Sequence, residues 1–164
     1  MTDGGAPSLN MAKVLRRPHW LLATSLGLGL CRPWPGTWGS AGGVALFAAL
    51  QPFPPMIRLV FYVLLLAAAI AASTRTGNEL GDPDHQAIVV DETLGMSLTL
   101  EAAGAFLLWP FAFVLFRLFD IWKPWPVRLA GDVLPGGWGV MADDVLAAGY
   151  AASVLLGFRY AAGM

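Results

Sequence analysis

The long apolar segment from Thr93 to Phe119 is the feature that most limits how this chain can fold. Its only charged residues are Glu101 and Arg117, and Gly104 and Pro110 interrupt it. If the segment were one transmembrane helix, the acidic residues just before it would lie across the membrane from those just after it. Either the two groups of acidic residues are unrelated, or the segment is a helical hairpin or re-entrant pair that is broken near Gly104 or Pro110. Because proline and glycine weaken or end helices, we predict the broken pair.

The composition indicates one domain that contacts lipid. The chain has 164 residues, of which 57% are hydrophobic and 13% are charged, about half the charged share of an average soluble domain. A net charge of -1 without a run of basic residues excludes a nucleic-acid-binding protein. The single cysteine, Cys31, excludes an intramolecular disulfide. We predict a disordered tail over residues 1–12 and a single domain over residues 13–164.

Two other apolar stretches could contact the membrane. The first, Trp20 to Leu30, follows the basic residues Lys13, Arg16 and Arg17, but no small-x-small cleavage site follows it. We predict a retained helix whose basic flank stays in the cytoplasm. The second, Leu59 to Ala72, has 14 residues, fewer than the roughly 20 that a perpendicular span needs. It could cross a thinned bilayer or form a core helix.

The segment from Arg32 to Gly43 is rich in proline and glycine. These residues disfavour regular structure, so we predict a loop that leads into an apolar helix near Gly42. Backbone N–H groups at a helix start can bind a phosphate, and Thr37 and Ser40 would add hydroxyl donors. The alternative is a turn that only introduces the helix.

Two pairs of adjacent acidic residues precede apolar segments, Asp91-Glu92 and Asp143-Asp144. Each pair could cap a helix and interact with its dipole. A cap needs only one acid, however, and Mg²⁺ prefers carboxylate oxygens as ligands. Adjacent residues project about 100° apart on a helix, so one acid can face a cation while the other caps. The pairs therefore also fit a site for a hard cation.

A third charged group, from Arg117 to Pro124, ends the long apolar segment. On a helix, Asp120 lies about 60° from both Arg117 and Lys123, so the three charges can meet on one patch. Pro124 cannot continue the helix, which places this patch at a helix end beside a loop. The alternative is a set of side chains that snorkel to the membrane edge.

The positions of the charged residues distinguish an enzyme at the membrane surface from a small transporter or channel subunit. A transporter that uses acids as an ion path would place them in the middle of apolar segments. Here the acidic residues other than Glu101 lie at segment ends or in loops. This distribution favours an interfacial active site, and the transporter is the alternative.

Four motifs occur together in one order: PGTWGS at 35–40, VDETLG at 90–95, FRLFDIWKPWP at 116–126 and GVMADDVLA at 139–147. With this set the chain resembles the phosphatidylglycerophosphatase A family from about residue 20 onward. The resemblance implies Mg²⁺-dependent hydrolysis of phosphatidylglycerophosphate to phosphatidylglycerol and phosphate at the cytoplasmic face of the bacterial inner membrane. It also implies an all-α fold, which we expect to be a compact membrane-associated bundle of short or broken helices with its site in loops and at helix ends.

The resemblance and the charge pattern together suggest a role for each polar cluster. The expected phosphate-binding residues are Thr37, Gly39, Ser40, Arg117 and Lys123. The expected catalytic residues are Asp91, Glu92, Asp120, Lys123, Asp143 and Asp144. The expected ligands of one or two Mg²⁺ are Asp84, Asp91, Glu92, Asp120 and Asp144. Either Glu92 or Asp143 would orient the attacking water as a general base, and an aspartyl-phosphate intermediate is the alternative.

Overall fold

A computed structural model describes residues 9–164, except for the side chains of residues 130 and 132, and within that range the chain forms α-helices without a β-strand. The predicted all-α fold is therefore confirmed. Of the predicted tail, residues 1–8 lie outside the described range, and the first helix begins at Met11. The helices are α1 (Met11–Val14), α2 (Pro18–Ala23), α3 (Pro35–Leu50), α4 (Pro55–Leu80), α5 (Val90–Ala103), α6 (Trp109–Trp122), α7 (Val127–Val133) and α8 (Gly137–Ala161).

The predicted break in the long apolar segment is confirmed, because α5 and α6 are separate helices. The chain turns at Gly104, whose φ of 69° is a left-handed conformation that glycine adopts without steric cost. Pro110 lies in the first turn of α6, where its missing N–H removes no helical hydrogen bond. Arg159 holds the turn, since its Nη1 donates to the carbonyl oxygen of Ala102 at 3.0 Å. The start of α5 and the end of α6 therefore line one cavity.

Helix α5 is the central helix of the bundle. Eleven of its 14 residues are buried, and it packs against α3, α4, α6 and α8. Met96 and Leu100 share one core cluster with Phe47 of α3 and Phe116 of α6. Leu94 belongs to a second cluster with side chains of α4 and α8. Because α5 is surrounded, the side chains at its first turn are held in place from several directions.

Helix α3 begins at Pro35, so the predicted loop up to Gly42 is wrong. Proline suits a first helical turn, and the glycines let α3 approach α5 closely. A Cβ atom at Gly43 would lie 2.5 Å from the carbonyl oxygen of Thr93 on α5, which is too close for any side chain. The glycines of this segment are thus explained by helix packing.

Helix α8 also begins earlier than its apolar run suggested. It starts at Gly137, so Asp143 and Asp144 lie almost two turns inside the helix. The prediction that this pair stands at a helix N-terminus, where one member could cap, is therefore wrong. Both side chains are buried among neighbouring helices.

Helices α4 and α8 are long and apolar enough to cross a membrane. Helix α4 has 26 residues and continues beyond the predicted run, because Ser73 and Thr76 are buried inside the bundle. Only 22% of the most apolar part of α4 is buried within the protein, compared with 50% for α8. Helix α4 therefore offers the larger surface to lipid, including the exposed side chains of Met56, Ile57, Leu59, Val60, Val63 and Leu64.

Glu101, the acid inside an apolar segment, links α5 to α4. Its Oε2 lies 2.9 Å from Nη2 of Arg58, and its Oε1 accepts a hydrogen bond from the Tyr62 hydroxyl at 3.0 Å. This pairing gives Glu101 a role in joining two helices.

The three most exposed tryptophans lie near the end of the bundle that holds the acidic pairs, and we predict that they contact the membrane–water interface. Trp34, Trp122 and Trp125 are 74%, 68% and 78% exposed, and indole rings favour this interface. In liposomes, lipids brominated near the headgroup should quench the protein more strongly than lipids brominated near the chain end. Changing all three residues to phenylalanine should reduce that difference. Equal quenching differences in both proteins would contradict the placement.

Candidate active site

The two acidic pairs meet because α5 and α8 cross closely. A Cβ atom at Gly95 of α5 would lie 3.1 Å from the carbonyl oxygen of Asp144 on α8. This approach brings the first turn of α5, with Asp91 and Glu92, beside the second turn of α8. Side-chain oxygens of Asp91, Glu92 and Asp144 lie within 4.8 Å of one another. We call these three residues the carboxylate trio.

The carboxylate trio is short of hydrogen-bond donors. Asp91 and Asp144 are buried and Glu92 is half-buried. One oxygen of each side chain, Asp91 Oδ1, Glu92 Oε2 and Asp144 Oδ2, is buried and has no hydrogen-bond partner among the side chains that the structure describes. An unpaired buried acceptor costs about 1–3 kcal/mol, and more when it is charged. Three such oxygens in one place leave room for a cation that would satisfy them together.

Electrostatics in the trio also favour a cation. Burial, followed by the negative charges of Glu92 and Asp144, raises the pKa of Asp91 well above its usual range. Burial likewise raises the pKa of Glu92, and the charge on Asp120 adds to that rise. Binding a divalent cation would stabilise the ionised carboxylates, which in its absence bind protons more readily.

Arg117 and Lys123 face the trio from α6. Arg117 is ion-paired with Asp120, and its Nη1 lies 3.9 Å from Oε1 of Glu92. Lys123 ends α6 with a φ of 46° and forms an ion pair with Asp143. Burial opposes the charge on Lys123, but the contact with Asp143 outweighs it and raises the pKa of Lys123. Lys123 therefore stays charged at neutral pH beside the acidic cluster.

Most of the predicted site residues line one open cavity of about 660 Å³. The predicted catalytic, phosphate-binding and metal-binding residues that line it are Asp84, Asp91, Glu92, Arg117, Asp120, Lys123, Asp143 and Asp144. Asp84 is exposed, and Asp120 is buried against Arg117, so both lie outside the trio. The structure thus brings together acids from four separate parts of the sequence.

The glycine segment contributes less than predicted. Among the described residues, Thr37, Gly39 and Ser40 do not line the cavity. Ser40 is buried, and its Oγ donates to the carbonyl oxygen of Gly36 at 2.9 Å. A Cβ atom at Gly39 would lie 2.8 Å from Cβ of Val89, so Gly39 serves packing. The prediction that these residues bind phosphate gains no support from their placement.

Residues 32–36 of the same segment line the cavity but were not predicted as site residues. Arg32 and Trp34 contribute to its wall, and Nη1 of Arg32 donates to Oε1 of Gln86 at 2.8 Å. The available signal was a lone arginine directly before a Pro-Trp-Pro sequence. A single cation in a loop is too common a pattern to select without a structure.

The charged side chains in this cavity are those that a phosphohydrolase needs. Transfer of a phosphoryl group needs positive charge around the phosphate oxygens and an aligned nucleophile. Carboxylates that can hold a divalent cation, together with an arginine and a lysine in the same cavity, can supply both. The all-helical fold and this cavity therefore define a helical phosphohydrolase with apolar, lipid-compatible surfaces.

Comparisons with known proteins place the chain more narrowly. The family model for Phosphatidylglycerophosphatase A matches residues 21–159. The chain is 41% identical over 150 residues to phosphatidylglycerophosphatase A of Haemophilus influenzae, covering 89% of this chain and 91% of that protein. It is 34% identical over 143 residues to phosphatidylglycerophosphatase A of Escherichia coli, covering 86% and 83%. A relative from Bacteroides thetaiotaomicron is 34% identical over 161 residues, covering 91% and 100%, and is named provisionally as a phosphatidylinositol-3-phosphatase.

No solved structure matched the chain. The chain belongs to the phosphatidylglycerophosphatase A family and is a phosphoric monoester hydrolase. The resemblance seen in the four sequence motifs is confirmed, and the transporter alternative is not supported.

Proposed function

We propose that this protein hydrolyses the terminal phosphomonoester of phosphatidylglycerophosphate with the help of Mg²⁺. The products would be phosphatidylglycerol and inorganic phosphate, formed at the cytoplasmic face of the bacterial inner membrane. The names of two relatives support the substrate. Two apolar helices and the basic residues before the first apolar stretch support the location.

The observation that carries the metal proposal is the set of three unpaired carboxylate oxygens in the trio. Asp91, Glu92 and Asp144 would hold the ion, since Mg²⁺ takes oxygen ligands and often keeps several waters. When bound, Mg²⁺ would supply positive charge beside the phosphoryl group and the departing oxygen. Asp84 and Asp120 line the same cavity and would complete the surroundings of a second ion.

The protein's own side chains would bind and orient the phosphate. Arg117 and Lys123 carry positive charge into the cavity and would neutralise the phosphoryl oxygens. Asp120 holds Arg117 through their ion pair, and so fixes the direction of the guanidinium group. These contacts would align the phosphorus for attack and place the charges before the reaction begins.

Asp143 is the best candidate for the general base. It lines the cavity, lies outside the trio and is held by Lys123. A water oxygen would attack phosphorus, and the bond between phosphorus and the glycerol oxygen would break. Asp143 would accept the proton that the water loses, and the departing glycerol oxygen would then take up that proton.

Metal dependence tests the proposal. Purified protein in detergent should release phosphate from phosphatidylglycerophosphate with Mg²⁺, and excess EDTA should lower the rate at least about 100-fold. Adding Mg²⁺ beyond the chelator should restore it, and thermal unfolding in EDTA should show that the fold persists. Full activity in EDTA would refute the metal proposal. No release of phosphate under any of these conditions would refute the proposed reaction.

A further inference from the structure

A second cavity, of about 440 Å³, adjoins the first. Asp84, Lys123 and Asp143 line both cavities, so the two meet at these side chains. Within the described part of the chain, no member of the carboxylate trio lines the second cavity. Its wall carries a different cation, Arg128, together with the apolar side chains of Ile121, Trp122, Leu134 and Val140.

Helix α7 places Arg128 beside the site. Val127, the first residue of α7, is fully buried, so it anchors the helix to the bundle, whereas Arg128 is exposed. A Cβ atom at Gly131 of α7 would lie 3.4 Å from Oδ2 of Asp143. The same helix therefore carries Arg128 and approaches the carboxylate at the junction of the two cavities.

The chemistry of the proposed substrate matches two adjoining cavities. Phosphatidylglycerophosphate has a terminal phosphomonoester and, on the other side of one glycerol unit, a phosphodiester attached to diacylglycerol. The first cavity suits the monoester, because it holds the carboxylate trio, Arg117 and Lys123. The phosphodiester carries one negative charge that a single guanidinium group can bind through paired hydrogen bonds. Apolar side chains beside that cation suit the start of the diacylglycerol.

We propose that the second cavity is the phosphodiester subsite and that Arg128 binds the internal phosphate of the substrate. The inference rests on the proposed function and names the part of the headgroup that the enzyme selects. Lipids whose phosphomonoester is attached directly to diacylglycerol lack the internal phosphate and cannot make this contact. Arg128 thus determines specificity for a headgroup with two phosphates.

The test compares Arg128→Gln with the wild-type protein, using one ligand that occupies a single cavity and one that spans both cavities. Inorganic phosphate, as a product, occupies only the monoester cavity, whereas phosphatidylglycerophosphate spans both cavities. We expect kcat/KM for phosphatidylglycerophosphate to fall about 10- to 100-fold, mostly through KM, as befits the loss of a charge-assisted hydrogen bond. The inhibition constant of inorganic phosphate should change less than about 2-fold, because that cavity remains intact.

Three further variants make the result specific. Arg128→Lys keeps the charge but loses the paired geometry, so its loss in kcat/KM should be intermediate. Arg75→Gln removes an exposed arginine that lines neither cavity, and it should match the wild type. Arg32→Gln tests a second arginine without a proposed role in the reaction, which lines the first cavity. A selective loss there, with Arg128→Gln unchanged, would overturn the assignment.

The outcomes separate this inference from the proposed function. If the wild-type protein releases phosphate and Arg128→Gln keeps its kcat/KM, only the phosphodiester subsite is refuted. If Arg128→Gln also weakens inhibition by inorganic phosphate to the same degree, Arg128 supports the whole site and the subsite is again refuted. If the wild-type protein releases no phosphate from this lipid, the proposed function fails and the inference fails with it.

Discussion

Replacing Asp144 with asparagine is expected to lower turnover at least about 100-fold, equivalent to about 2.7 kcal/mol of transition-state stabilisation. Asp144 is buried and supplies one of three carboxylate oxygens that lie within 4.8 Å of one another. Asparagine keeps the shape of the side chain but removes the negative charge that a divalent cation needs. The measurement is the rate of phosphate release from phosphatidylglycerophosphate in detergent at saturating Mg²⁺.

The same variant should keep its fold. Asp144→Asn removes one negative charge from a crowded buried cluster, so the melting temperature in EDTA should stay equal or rise. Mg²⁺ should raise the melting temperature of the wild type and have a smaller effect on the variant, because a bound ion stabilises only the folded state. Asp82→Asn is the matched control, since Asp82 is exposed and lines neither cavity. Near-wild-type turnover in Asp144→Asn would refute the role of the trio.

Replacing Lys123 with methionine is expected to lower kcat about 100-fold. Methionine keeps the apolar stem but removes the cation that pairs with Asp143 and lines both cavities. Without it, the phosphoryl oxygens lose a neutralising charge and the carboxylate of Asp143 loses its fixed position. Phosphate release should be measured beside thermal unfolding, with Lys13→Met as the control for loss of a surface lysine.

A loss of stability could imitate this catalytic effect, because Lys123→Met leaves the buried carboxylate of Asp143 without its partner. The double variant Lys123→Met/Asp143→Asn removes the uncompensated charge, so its melting temperature should recover. Its turnover should stay low, because the double variant also lacks Asp143, the proposed general base; the double variant therefore tests stability alone. Recovery of turnover as well as stability would contradict both the phosphate-binding role of Lys123 and the general-base role of Asp143.

Local chain chemistry predicted the parts of the fold that depend on single residues. Gly104 and Pro110 indicated where the apolar segment is broken, because glycine destabilises a helix interior and proline removes a helical hydrogen bond. The angular spacing of Arg117, Asp120 and Lys123 placed these charges on one patch, and all three line one cavity. The two acidic pairs were also recognisable, since adjacent carboxylates are unusual in so apolar a chain.

The residues at which helices begin, and the acids that could bind the metal ion, depend on contacts between residues far apart in the sequence. The spacing of residues along the chain does not predict such contacts. The glycines after Pro35 fit a phosphate-binding loop and a closely packed helix equally well, and only the approach of Thr93 on α5 separates the two. Asp120 had the same charge as the trio, but its pairing with Arg117 keeps it apart. Arg128 follows a proline-rich loop, and the sequence does not predict that it lines a cavity. Its position near the site depends on the packing of α7 beside Asp143.

Direct cation binding tests the central claim, that Asp91, Glu92 and Asp144 form the metal centre. Mn²⁺ can replace Mg²⁺ in a site of oxygen ligands, and binding quenches the electron paramagnetic resonance signal of the free ion. Titration of the purified protein in detergent should show at least one bound Mn²⁺ per chain, displaced by excess Mg²⁺. Asp144→Asn should raise the Kd at least about 10-fold, and Asp82→Asn should leave it unchanged. Equal Mn²⁺ binding by the wild type and Asp144→Asn, or no binding by either, would contradict the claim.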